Sequence, residues 1–201
     1  HPTSVAPRAG VLPRAEVHQL RLWVNAAGDS DFSKGSAAQQ AGTLYAAAMS
    51  ASQLREFDQA RALAARLVTR TDGDAPAARL ARLLSAEIEL SAGTPARATP
   101  WIDAKSKERP EQLQAAQWAV ASRQGAAQMM APIVQGLRDR VARDSGDATA
   151  WRTLSMLYGA QNEPLRAIRA DAEANVAMLD YPAARDRFKA AQDLARQMAE
   201  G

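Results

Sequence analysis

The chain has 201 residues, 25 Lys and Arg against 22 Asp and Glu, two histidines and no cysteine. Without cysteine there are no disulfides, thiolate zinc sites or cysteine nucleophiles, and His1 and His18 alone leave little material for an imidazole metal site or a Ser-His-Asp triad. A net charge of +3, evenly spread, gives no reason to expect nucleic acid, and the length suits one or at most two units with a real core.

Alanine dominates the composition, and Phe, Tyr and Trp together number only 3, 3 and 4. Alanine has the highest helix propensity and lets helix axes approach closely. No run of alternating β-branched residues signals a strand, so the expected class is all-α. No stretch reaches the roughly 18 apolar residues of a membrane span. The opening HPTSVAPRAG lacks a basic start followed by an apolar block, so no signal peptide is expected there.

In chain order, Pro2, Pro7 and Pro13 predict an extended arm over 1–13. A first helix follows over 14–27, with Val17, Leu20 and Val24 on one stripe and Gly28 as its stop. GDSDFSKGS reads as a loop. Further helices are predicted over 37–50, 55–69, 76–92, 95–105, 110–122, 126–143, 148–160, 164–179 and 182–199. Asp74 with Pro76, Thr94 with Pro95 and Asp180 with Pro182 each set a cap beside a proline in the first turn. Gly73, Gly93, Gly125 and Gly146 stand where helices should end. Short helices joined by short turns predict antiparallel helical hairpins in a single domain over 14–201.

Few candidate sites emerge. HExxH, GxSxG, Walker-type and GxGxxG motifs are all missing from the sequence. The pairs Glu87/Glu89 and Asp171/Glu173 are i,i+2 on helices, so each pair diverges and reads as solvated surface. His18 sits off the apolar stripe and reads as a boundary residue. Trp23, Trp101, Trp118 and Trp151 are expected to fill gaps between helices. In the small, polar stretch QAAQWAVASRQ, Trp118 is the one most open to a groove. Met129 and Met130, beside Pro132, suit either a core or an adaptable surface. In GLRDRVARDSGD and PLRAIRADAEA, arginines alternate with Asp139, Asp144, Asp171 and Glu173. This mixture predicts i,i+3 and i,i+4 surface pairs rather than a phosphate-binding face.

Trp151, Leu154 and Tyr158 are spaced as in the first helix of a tetratricopeptide repeat, and Tyr181, Ala184, Phe188 and Ala191 as in a second helix. Leu44, Tyr45 and Ala48 with Phe57 and Ala60 form a weaker unit, and Ala86, Gly93 and Ala98 suggest a third. Phe188, if fully buried, makes its change to Ala cost about 3–5 kcal/mol.

Residues 145–198, from the Trp151 helix through PLRAIRADAEA to DRFKAAQDLAR, resemble the last repeats of the BepA (YfgC)-type bacterial periplasmic zinc metallopeptidases, which carry a C-terminal tetratricopeptide region. That resemblance implies a tetratricopeptide-like right-handed superhelix of antiparallel hairpins and a periplasmic location. It further implies a non-catalytic module, without cofactor, that docks a protease domain and engages substrates or outer-membrane assembly proteins. Zinc would belong to a protease domain outside these residues. The repeat pattern lays Tyr45, Met49, Arg152 and Met156, with Trp118 as an addition, along a protein-binding groove. Trp151, Leu154, Tyr158, Ala184, Phe188 and Ala191 fall to packing. No nucleic-acid partner or membrane span is expected. The alternative is a scaffold repeat protein unconnected to a protease.

Overall fold

Helix-forming alanine and leucine runs, broken by proline and turn residues, set the architecture. The computed structural model describes residues 12–29, 31–122 and 127–200. These hold ten α-helices and no strand: α1 Arg14–Ala26, α2 Ala37–Gln53, α3 Phe57–Arg70, α4 Ala75–Ser91, α5 Pro95–Ala98, α6 Arg109–Ser122, α7 Ala127–Arg143, α8 Ala148–Ala160, α9 Pro164–Ala177 and α10 Tyr181–Glu200. The all-α class stands. Most of the expected arm, and the stop at Gly125, lie outside the described residues.

Side-chain caps start four of the helices. Ser36 forms a reciprocal capping box with Gln39 at α2. Asp74, Asp147 and Asp180 accept from Ala77, Ala150 and Ala183 backbone N–H at α4, α8 and α10. Thr94 does not cap α5 with its side chain. That helix is a correction: expected to reach residue 105, it ends at Ala98 and tightens into a 3-10 turn, Thr99–Trp101. Pro100 has no N–H to donate back into the helix, and Ile102 turns extended.

Helix stops divide between glycine and other residues. Gly73 and Gly93 take positive φ, as expected of glycine beyond a helix end. Arg55, Asn162 and Leu179 also sit near φ 60°. After each, a backbone N–H reaches five residues back: Glu56 to Ala51, Glu163 to Tyr158 and Asp180 to Asn175, all at 2.9 Å. This is the Schellman closure, repeated at the α2–α3, α8–α9 and α9–α10 turns. No glycine stands at the positive-φ position of any of the three.

The chain divides into two compact units, one ending at Ala92 and the other beginning at Gly93. In the first, α1, α2, α3 and α4 pack successively, and α2 also touches α4. In the second, α6, α7 and α8 pack mutually, followed by α8 on α9 and α9 on α10. Contact between neighbours and between next-but-one helices is the pattern of stacked helical hairpins. Alanines make it possible: Ala47, Ala48, Ala51 and Ala60 in the first unit are fully buried, as are Ala116, Ala119, Ala150, Ala172 and Ala174 in the second.

The pairing near the C-terminus needs correcting. The Trp151 helix has α9 as its partner, marked by the Ser155 hydroxyl donating to the Ala167 carbonyl at 2.8 Å. The Tyr181–Ala191 segment is the next helix, which packs on α9. There Ala184 is buried, while Phe188 and Ala191 are half-buried and Tyr181 is exposed. The full-burial premise for Phe188 therefore fails.

Candidate functional site

The proposed groove residues separate on exposure. On α2, Met49 is exposed, while Tyr45, one turn before it, is half-buried against the first unit's core. On α8, Arg152 and Met156 are both exposed, one turn apart, opposite the buried Leu154 and Leu157. These pairs belong to different units.

Trp118 is a correction. It is 1% exposed, and its indole N–H donates to the Pro95 carbonyl at 3.0 Å. It fills the core of the second unit and does not face a groove. The misreading came from α6, whose Gln112, Gln114, Ala115 and Ala119 show little apolar face yet are all buried. Helices α5, α7 and α8 pack around α6, so even its amides are enclosed. Gln112 donates to the Gly136 carbonyl at 3.2 Å and accepts from Arg140 Nε, which satisfies it. Conversely, Trp23 is exposed on α1, and Trp101 and Trp151 are half-buried. Met129 and Met130 are half-buried, and His18 is exposed.

Two carboxylates are buried in ion pairs, and one of them, Glu89, was expected as solvated surface. Glu89 is buried and accepts both Nε and Nη2 of Arg61 at 3.0 Å, joining α3 to α4. Asp147 is buried at the start of α8 and accepts Arg109 Nε at 2.7 Å and Nη2 at 2.9 Å. The Arg109 guanidinium and the Ala150 N–H hold the Asp147 carboxyl below the usual range, against the opposing effect of burial. The i,i+2 spacing of Glu87 and Glu89 carries no trace of a partner 28 residues away. Asp171 likewise pairs with Arg187 of α10 at 2.8 Å.

The arginine-rich stretches also differ from expectation. Among their basic residues, Arg166 makes an i,i+3 pair with Glu163 at 2.8 Å. Arg140 turns to Gln112 and the Lys107 carbonyl, and Arg143 to the Asp139 carbonyl. Arg138 and Arg169, both exposed, make no hydrogen bond or ion pair among the described residues. They face a common feature, a cleft of about 390 Å3 between α7, α8 and α9. Trp151, Leu154 and Tyr158 of α8 also line it, with Arg166, and no acidic side chain does.

Local structure builds this cleft. Asp147 caps α8 and sets its start, and the Trp151 indole N–H donates to the Ser145 carbonyl at 3.0 Å, fixing the ring. The Arg166 guanidinium lies over the Tyr158 ring, 5.8 Å from its centre. On α9, Arg166 and Arg169 are i,i+3 and share a face, whereas Asp171 turns to α10. The sequence reading placed Trp151 and Tyr158 wholly in packing. Their shared helix with flanking arginines on α7 and α9 was the available signal, but only the fold brings the three helices together.

Among the described residues, no three His, Cys, Asp or Glu side chains gather as a metal site, and no helix is long and apolar enough to cross a membrane. No protein-family model matches the chain, and no curated protein matches it either.

Proposed function

We propose that the chain is a non-catalytic protein-interaction module built of tetratricopeptide-like helical hairpins wound as a right-handed superhelix. On the resemblance of residues 145–198, it serves a periplasmic zinc metallopeptidase of the BepA type, docking the protease domain and engaging substrates or outer-membrane assembly proteins. Zinc then belongs to that protease domain, and this chain carries no cofactor. The observation that supports the reading best is the hairpin packing itself. Helices α2 and α8 each bury one face in a core while Met49, Arg152 and Met156 stay exposed on the other. Rigid helices presenting adaptable methionines and a cation suit a protein or peptide surface.

Photocrosslinking of the intact protein in cells tests this. Probes at Met49, Arg152 and Met156 are expected to trap the same discrete partner, while a probe at exposed Thr69 on α3 traps nothing above background. Equal trapping at all four positions, or none at any, contradicts the reading. Metal analysis of the intact protein tests the family part, with about one zinc per chain expected and a zinc-free protein contradicting it.

A further inference from the structure

We infer that the cleft between α7, α8 and α9 binds an acidic peptide segment, with carboxylates on Arg138 and Arg169 and an apolar side chain against the half-buried Trp151 indole. This rests on the reading of the chain as a protein-interaction module and names the chemistry of one of its partners.

Charge complementarity is the first argument. Three guanidinium groups line the cleft and only Arg166 has a carboxylate partner, Glu163. Glu173, one turn beyond Arg169 on α9, makes no ion pair with it. The guanidinium fork matches a carboxylate with two parallel hydrogen bonds, which fixes geometry as well as charge.

The floor is the second argument. The half-buried Trp151 indole, backed by the buried Leu154 and Tyr158, gives the cleft an aromatic floor beneath the cations. A free inorganic anion would leave the accessible part of the Trp151 indole wet, whereas a peptide covers it and meets the arginines together. The volume falls within the range of small-ligand sites, enough for a short stretch of side chains. An extended polyanion fits less well. A nucleic-acid strand is held by its phosphates along an extended basic track, whereas this cleft gathers three guanidinium groups in about 390 Å3.

The test is fluorescence anisotropy with a labelled acidic hexapeptide, EELFEE, and its amide counterpart, QQLFQQ, on the full chain. EELFEE is expected to bind, with affinity falling as salt rises, and QQLFQQ to bind about tenfold more weakly or worse. Arg138→Gln with Arg169→Gln should weaken EELFEE by about tenfold or more. Arg185→Gln on α10, whose side chain meets only Asp186, should leave binding unchanged. Equal affinity for both peptides, indifference to the Arg138/Arg169 substitutions, or tighter binding of an oligouridylate at the same site each overturns the inference. If EELFEE fails while Met49, Arg152 and Met156 still trap one partner, the cleft assignment alone falls. If both fail, the interaction-module reading falls with it.

Discussion

Arginine does different work in the two units. In the first, arginines at helix interfaces are spoken for: Arg61 grips Glu89 and Asp58, Arg21 pairs with Glu56, and Arg66 lies over the Phe32 ring and donates to the Ala27 carbonyl. In the second, Arg109 holds Asp147 and Arg140 holds Gln112, but Arg138 and Arg169 stand unpaired at a cleft between three helices. A guanidinium group satisfied within the protein holds helices together. One left at a cleft, with an aromatic floor beneath it, is free for another molecule.

The comparison can be attacked first through the cores. Trp118→Ala should cost the second unit about 3–5 kcal/mol, since it empties a large buried volume and strips the Pro95 carbonyl of its donor. Denaturant unfolding followed by circular dichroism measures this, and a loss below about 1 kcal/mol would return Trp118 to the surface. Next come the clasps. Asp147→Ala removes a cap and a bidentate arginine partner together, an expected loss of about 2–3 kcal/mol in the same experiment.

The Asp147 clasp also has a pH signature. Its carboxyl is held below the ordinary value, so the stabilisation is fully present above the unfolded pKa of about 4. It is lost as pH falls below that value through the folded one, because the unfolded chain then binds the proton more readily. Acid titration of the folded protein should therefore show a steeper loss of stability below about pH 4 than for Asp147→Asn. Identical acid profiles would show that the carboxylate contributes nothing.

Local chemistry was the legible part of this molecule. Asp74 and Asp180 cap helices, Gly73 and Gly93 end them, and alanines fill the contacts where helices meet. Each depends on a few neighbouring residues, so a linear reading reaches it. The Schellman turns at Arg55, Asn162 and Leu179 were not legible, because nothing in their side chains requires positive φ. Trp118 and Glu89 were misjudged for another reason: their burial depends on helices that arrive from elsewhere in the chain. The cleft is the extreme case. Arg138, Trp151 and Arg169 lie on three successive helices, and among interleaved charges only their packing shows which cations find partners.

The claim that arginine holds the first unit and serves a ligand in the second is tested most directly by one denaturation series. Arg61→Gln strips the buried Glu89 of its two-bond guanidinium partner and should destabilise the protein by about 2–4 kcal/mol. Arg138→Gln and Arg169→Gln, together, should change stability by less than about 0.5 kcal/mol, as exposed and unpaired residues do. Comparable losses from both substitutions would contradict the division and make the cleft arginines part of the scaffold.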